Sequence, residues 1–497
     1  MSPHAPEPVA PTRSDPVVAA ASHIVGGPLG RHAALARHTA RSAWQPAAAV
    51  LVGLSSLTIA LGVLQKAHCF GTGWKSPDQL WHACYSDLPI LYQASNLGQT
   101  MPYLPGSRPL DQPVISGLVM WLVALVVPDG SALVQQQWYF ALWAVLITVM
   151  VMALVVVTVS SVPGAPWRAA HVALSPVLVL AGLVSVDLLG VLLTSAALLA
   201  WGRGRVAMAG FLLGLAIGAR SYPLIVLVAV GLLAVRCGRI GAWTRLAGTA
   251  LATWFAVSLP WLLINSDALL SVYRAWWQGA AGYGSAWMVP ALLGRGLSPA
   301  AVTGLAISGW LLAVAVGTLF ALSLDRRPTV AEISLVMLVV VLVTDKAVPV
   351  QASLWLLPLI ALVGMKWGHH LLWAGFEATY FVAVWLYIAG LSTPDRALPA
   401  GLYAVLLGLR LSALVFLLLQ VWRVARSREP ASLWRPVDLV DPDLVDPELG
   451  DSGFGDPWFG DPGSGDTDTL EPEQGAEVDP LAGPMAGAPD RVVIRLS

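Results

Sequence analysis

Charge is what this sequence is short of. Of its 497 residues, 57% are hydrophobic and only 11% are charged, whereas soluble domains carry about 25% charged residues. A water-soluble globule is excluded for most of the chain, and a mean hydropathy of +0.70 points to lipid. Cysteine is sparse as well, at three residues, the net charge is −1, and nothing in the sequence suggests a nucleic-acid partner. No cleavable signal peptide is expected in the first 44 residues. The opening "MSPHAPEPVAPTRSDPVV" has neither the basic start nor the apolar core of one.

What the sequence does have is a series of apolar runs near the roughly 20 residues that cross a bilayer core. Its basic residues sit in short loops between those runs, while its acids collect near the C-terminus. The positive-inside rule then fixes an orientation. The patch "RHAALARHTARSAW" puts the N-terminal side in the cytoplasm, and so do the loops carrying Arg168, Arg203 and Arg205, Arg236, Arg239 and Arg245. Arg326 and Arg327, Lys366, and Arg423, Arg426 and Arg428 complete the set. Hairpins at 169–202, 207–236, 247–322, 329–365 and 370–421 satisfy it, with two crossings before Arg168. The run 113–127, about 15 residues long and following Pro113, is short for a span and is laid in the outer leaflet as a juxtamembrane helix.

The expectation is an all-α polytopic membrane protein of about twelve spans with both termini cytoplasmic. Residues 1–44 form a disordered arm and 45–425 the transmembrane domain, with a first extracytoplasmic loop at 65–112. Residues 426–497, rich in Asp-Pro and Gly-Asp units, form a disordered acidic tail in the cytoplasm. At "ARSYP", Pro223 interrupts a helix, and the hairpin reading is preferred to one long kinked helix.

With the loops assigned, the remaining ionisable residues fall on the outer side. They are Asp87 and its loop, Asp187, Arg220, the loop 265–287, and Asp345 with Lys346. Such residues at a lipid boundary usually mark a site or a pathway. A carboxylate there can act as a general base toward a sugar hydroxyl. Arg220 and Lys346 suit a phosphate, and Trp276, Trp277 and Trp287 offer faces for a sugar. Asp87 also reads as a helix start, since "SD" precedes "LPILY", and Asp187 reads equally as a cap.

Cys69 and Cys84 share the outer loop, where oxidation is permitted, and Cys237 lies in a cytoplasmic one. A Cys69–Cys84 bridge would be worth roughly 3 kcal/mol in the chain-entropy model. His68 and His82 flank these cysteines, but adjacent donors in "HC" suit a tetrahedral metal site poorly. A disulfide is expected and no metal site is assigned. Lys75 and Asp78 read as solvated loop charges.

Five stretches, in order, carry a resemblance. They are "YSDLPILYQASNLGQTMPYL" with "LDQPVISGLVMW", then "ALSPVLVLAGLVSVDLLGVLLTSAALLAWGRGR", "MAGFLLGLAIGARSYPLIVLV", "AGYGSAWM" and "TDKAVPVQASLWLLPLIAL". Together they resemble the polyprenyl-phosphate-dependent mannosyltransferases of glycosyltransferase family 87, in the membrane C-type superfamily, over about 45–425. The resemblance implies an inverting transferase of the plasma membrane, working on the extracytoplasmic face. Its donor would be a polyprenyl-phospho-sugar and its acceptor a cell-envelope glycan or glycolipid. Asp87 takes the place of the catalytic base. Asp187, Arg220, Lys346 and Gln351 fall at substrate-binding positions, joined by Tyr85, Tyr103 and Trp287. No cofactor is implied, and a divalent-metal requirement stays open. The chain departs from the family pattern at Ser185, Gln112, Arg220 and Asp345, which leaves the sugar and acceptor open. A transporter for a lipid-linked saccharide and an inactive envelope scaffold are the rival readings: changing Asp87 would cost the transporter translocation with no product linkage involved, and the scaffold would tolerate Asp87→Ala entirely.

Overall fold

The computed structural model describes residues 15–30, 40–426 and 479–494, and all of its regular structure is helical. α1 (Pro16–Gly30) precedes α2 (Ala40–Gln65), the first long apolar helix. The loop after it is built from short α3 (Ala67–Thr72), α4 (Asp78–Trp81) and α5 (Asp87–Ala94). Then come α6 (Val114–Ala124), α7 (Ala132–Ser161), α8 (Ala170–Ala173), α9 (Pro176–Ala181) and α10 (Asp187–Gly202). α11 (Val206–Ala219), α12 (Pro223–Arg236), α13 (Ile240–Gln278), α14 (Met288–Leu292) and α15 (Pro299–Ser323) follow. The remainder is α16 (Val330–Thr344), α17 (Leu356–Val363), α18 (Trp367–Ser392) and α19 (Ala400–Arg426).

Among the described residues, six helices are long and apolar enough to cross a membrane: α2 from Gln45, α7, α13, α15, α18 and α19. The other expected spans are shorter. α10, α11, α12 and α16 have 14 to 16 residues, which is about 21–24 Å of helix at 1.5 Å per residue. A bilayer core is about 30 Å thick, so these helices stop short of it. α8 and α9 replace a further expected span with two brief turns, and the 113–127 run yields α6 with 11 residues.

The short helices meet in breaks, and each break has a local cause. Ser175 caps α9, with Pro176 at its first position. α11 ends where Arg220 turns extended (φ −156°, ψ 162°), and Pro223 opens α12. α16 starts on a capping box, Thr329 with Glu332, and ends at extended Asp345. Irregular backbone at membrane depth must be satisfied by protein or line a cavity. These breaks are therefore the natural place for a site.

α11 packs closely on its neighbours through a glycine stripe. A Cβ on Gly210 would sit 2.7 Å from the Leu246 carbonyl, and one on Gly214 would sit 2.4 Å from that of Ala250. This is the small-residue spacing that lets membrane helices approach backbone to backbone.

At the far end of the short helices the chain's last described segment folds back, contrary to the expectation of a disordered tail. Leu481, Met485 and Ala488 are buried. Asp490 pairs with the wholly buried Arg236 at 2.7 Å and with Arg327 at 2.6 Å. Arg491 N–H donates to the Arg236 carbonyl, and Ile494 N–H to that of Leu322. Pro480 and Leu481 lie against Gly202. The loops after α10, α12 and α15, all assigned to one side from their arginines, thus converge on one segment. Since this segment touches both the end of α10 and the end of α12, α11 and α12 run antiparallel, as the hairpin reading has it. Residues 427–478 of the expected tail lie outside the described residues, as do 1–14 and 31–39 of the expected N-terminal arm, whereas Pro16–Gly30 is helical.

The Arg236 guanidinium also donates to the carbonyls of Ala321 and Leu324. Asp490→Ala would leave it those partners and remove its counter-charge. We expect a loss of about 1–3 kcal/mol, read as a lower thermal midpoint in detergent. Protease access near residue 480 should rise in parallel.

Candidate functional site

Three of the breaks carry the ionisable residues singled out from the sequence. Asp187 opens α10 and is 3% exposed. Arg220 grips it with two parallel bonds, Nε to Oδ1 and an Nη to Oδ2, both at 3.0 Å. Trp355 Nε1–H donates to Oδ1 at 3.0 Å and Ser185 Oγ–H to Oδ2 at 2.5 Å. A carboxylate has about four lone-pair positions, and these four donors fill them. Asp187, expected at a substrate-binding position, thus holds the Arg220 guanidinium in a fixed orientation. The guanidinium has five N–H donors, so three remain, and its side chain is 20% exposed. Ser185 is one of the residues at which the sequence departs from the family pattern, whereas Trp355 could not be found from spacing, because it is 168 residues away in sequence. Gly190 makes room for it: a Cβ there would lie 2.6 Å from the indole ring.

The first loop reaches the same break. Ser86 Oγ–H donates to the Leu183 carbonyl and Asp87 N–H to that of Val184, both at 2.8 Å. This pins Asp87 next to the start of α10, where it feels the charges of Arg220, Asp187 and Lys66. Asp87 also opens α5, so the helix-start reading of "SDLPILY" holds geometrically. Its carboxylate accepts from Tyr85 Oη–H at 2.7 Å. The Tyr85 ring stacks on Trp385 of α18, centroids 4.4 Å apart. Asp87 keeps part of its surface open. Burial pushes its carboxyl above the usual carboxylate range, against the opposing pull of Tyr85, Arg220 and Lys66.

Lys66 escaped the sequence reading. It stands immediately after α2, is fully buried, and donates from Nζ to the Tyr85 carbonyl at 2.9 Å. Burial lowers its ammonium to about 7, partly offset by Asp87. Its signal was a lone lysine at the end of an apolar helix, which reads as a snorkelling anchor.

The loop is held from behind by a Cys69–Cys84 disulfide, Cα–Cα 5.8 Å, with both residues buried. Trp74 Nε1–H donates to the Cys84 carbonyl. Cys237 is a buried free thiol.

Other expected binders are used up in the scaffold. Lys346 is 1% exposed and gives its ammonium to Thr303 Oγ1 and to the carbonyls of Gly279 and Trp277, at 2.7, 3.0 and 3.3 Å. Three donors have three acceptors, so Lys346 fastens the 277–279 turn. Its ammonium lies over the Trp276 ring at 4.6 Å. Tyr103 is 2% exposed and donates to the carbonyls of Gln112 and Pro113, which braces the loop. Trp287 donates from Nε1 to the Thr344 carbonyl at 2.7 Å, with its ring half-buried. Gln351 is buried at the start of the 350–355 turn. Asp345 accepts from the Lys346 N–H at 2.6 Å and from Trp310 Nε1–H at 3.4 Å. What remains accessible is Asp87 with Tyr85, the free side of Arg220 and part of the Trp287 ring.

Arg220→Ala would bury the Asp187 carboxylate without its cation, which should cost about 3 kcal/mol or more. Removing both charges together, as Asp187→Asn with Arg220→Gln, should cost less than Arg220→Ala alone. Thermal midpoints of the wild type and these variants in detergent check the order.

No protein-family model matches the chain, and no curated protein matches its sequence. Among solved structures, the chain is similar to the crystal structure of ArnT from Cupriavidus metallidurans bound to undecaprenyl phosphate. Identity is 16% and the TM-score is 0.36, covering 74% of this chain and 77% of that one. So loose a similarity transfers no residue roles, and the site rests on its own geometry.

Proposed function

We propose that this protein is a membrane-embedded inverting glycosyltransferase that moves a sugar, mannose by the motif resemblance, from a polyprenyl-phosphate donor. The observation that carries the reading is the pairing at one break of an accessible, half-buried carboxylate with an arginine whose fork is pre-set and only partly used. Asp87 accepts the proton of an acceptor hydroxyl as its oxygen attacks the anomeric carbon. The bond from that carbon to the phosphate oxygen breaks, and polyprenyl phosphate leaves. Attack from the face opposite the phosphate inverts the centre. Arg220, aligned by Asp187, offers its remaining N–H donors to the phosphate charge that grows on departure.

Burial supports the base role. A base works best when its pKa approaches the operating pH, and Asp87 is shifted upward from the usual carboxylate range. The depth of the site also suits a lipid donor. Helices about 21–24 Å long place the breaks inside the hydrocarbon boundary, where a polyprenyl tail can stay in lipid. The acceptor in this reading is a cell-envelope glycan or glycolipid on the extracytoplasmic side, where the loop 65–112 would lie.

Membranes from cells lacking the gene, complemented and given radiolabelled polyprenyl-phospho-mannose, test it. Wild type should transfer label to lipid-linked glycan, and Asp87→Asn should lose about 10²–10⁴-fold at equal protein level. Equal transfer by both would remove Asp87 from the chemistry. No transfer by wild type would overturn the mannosyl donor.

The pH profile tests the same carboxylate. Base catalysis needs it ionised, so activity should fall as pH drops through its pKa, at a pH above the ordinary aspartate value of about 4. Tyr85→Phe removes the hydrogen bond that favours the ionised form. The acidic limb should therefore move to still higher pH. An unmoved limb would separate Tyr85 from the base.

A further inference from the structure

On the same loop, away from Asp87, three side chains converge that the reading above does not use. His68 from α3, Asp78 from α4 and His82 just beyond it each present a ligand atom within 4.8 Å of the others. His68 Nε2 lies 2.8 Å from Asp78 Oδ2, and His82 Nδ1 lies 3.2 Å from Asp78 Oδ1. The two imidazoles are stacked, centroids 3.5 Å apart and planes 18° from parallel, so both present nitrogen to one carboxylate. We propose that His68, Asp78 and His82 form a binding site for Zn2+, a cross-brace within the loop that carries Asp87.

The donor set and the spacing select the ion. Two imidazoles and a carboxylate are borderline donors of the kind zinc takes, whereas Ca2+ and Mg2+ take oxygen alone. Zinc–ligand bonds of 2.0–2.2 Å at tetrahedral angles put ligand atoms about 3.3 Å apart. The nitrogen-to-oxygen distances, 2.8 Å to one carboxylate oxygen and 3.2 Å to the other, are within about 0.5 Å of that value, a gap that side-chain rotation can close. Solvent reaches all three side chains, so water can complete the shell. Three protein ligands and an open position are a known zinc pattern.

The cluster is also built, not accidental. Asp78 and His82 sit four apart, across one turn, and His82 Nδ1 is 3.0 Å from the Asp78 carbonyl. His68 is fixed by its neighbour Cys69, whose disulfide to Cys84 ends two residues past His82. Gln65 Nε2–H donates to the Ala83 carbonyl at 2.6 Å, a second tie between the two arms. The disulfide takes Cys69 and Cys84 out of the ligand set, which removes the awkward adjacent pair. Asp78, which reads as a solvated charge in sequence, supplies the third ligand. A bound ion would tie α3 to α4 on the outer side of the disulfide.

The competing reading is a hydrogen-bonded His–Asp–His clasp that takes no metal. The full chain, purified in detergent without a histidine tag, separates the two. It is incubated with Zn2+, passed through gel filtration, and analysed for metal by mass spectrometry. About one zinc per chain is expected in wild type, and less than about one-tenth of that in His68→Gln/His82→Gln. Asp78→Asn should bind at least about tenfold more weakly. The other seven histidines of the chain are intact in wild type and in both variants, so loss assigns the ion to this cluster. Zinc should raise the thermal midpoint of wild type by mass action and leave the double variant unmoved, while Ca2+ shifts neither. A non-reducing mass measurement confirms that the disulfide persists in each variant. Wild type emerging free of zinc, or equal zinc in wild type and double variant, would overturn the site. None of these readouts depends on transferase activity, so the result stands apart from the proposed reaction.

Discussion

The ion pair between Asp187 and Arg220 holds the centre of this molecule. Both residues lie where short helices stop, and neither could be buried alone, since an unpaired charge in a low-dielectric interior costs several kcal/mol. Together, with Ser185 and Trp355, they close one another's hydrogen bonds. The pair joins the start of α10 to the end of α11, and Trp355 brings in the segment that precedes α17. The carboxylate at the first residue of α10 also meets the positive end of that helix. Three breaks in the membrane helices thus share one polar knot, which meets the rule that non-helical backbone at depth must be satisfied by protein.

The first loop is organised by this knot and supplies what the knot lacks. Asp187 has no lone pair to spare, so it cannot take a proton from a substrate. In the proposed reaction that task falls to Asp87, whose loop is tied to the Leu183 and Val184 carbonyls by Ser86 Oγ–H and the Asp87 N–H and leaves part of the carboxylate open. Tyr85 and Lys66 tune that carboxylate in the same direction, and both oppose the effect of burial. The division of labour follows from environment. One aspartate is saturated and orients a cation, while the other is under-satisfied and available for chemistry.

The opposite end of the short helices shows how loop charge is used twice. Arginines that mark one side of a membrane in the sequence also recruit the end of the acidic tail. Asp490 neutralises Arg236, which would otherwise be wholly buried with only carbonyl partners, and engages Arg327. The apolar residues Leu481, Met485 and Ala488 then seal the loops. Composition gave no hint of this, because a Pro- and Gly-rich acidic stretch has no core-forming period. A contact made by one aspartate and three apolar side chains is too short to alter that statistic.

Some of this was determined by the sequence alone. Scarce charge and long apolar runs dictate a helical membrane protein, Pro223 dictates where a helix breaks, and loop arginines dictate which loops share a side. These are local properties, set by solvation and by backbone geometry within a few residues. The aspartates and Arg220 were legible as a set, because ionisable groups stand out against an apolar background. Their roles were not. Whether Lys346 is free or fastened, whether Asp187 binds or positions, and whether Asp78 is solvated or joins two histidines depend on partners far apart in the chain. Only tertiary structure decides such roles, because a charged side chain's chemistry is fixed by how many of its hydrogen-bonding positions its neighbours have already filled.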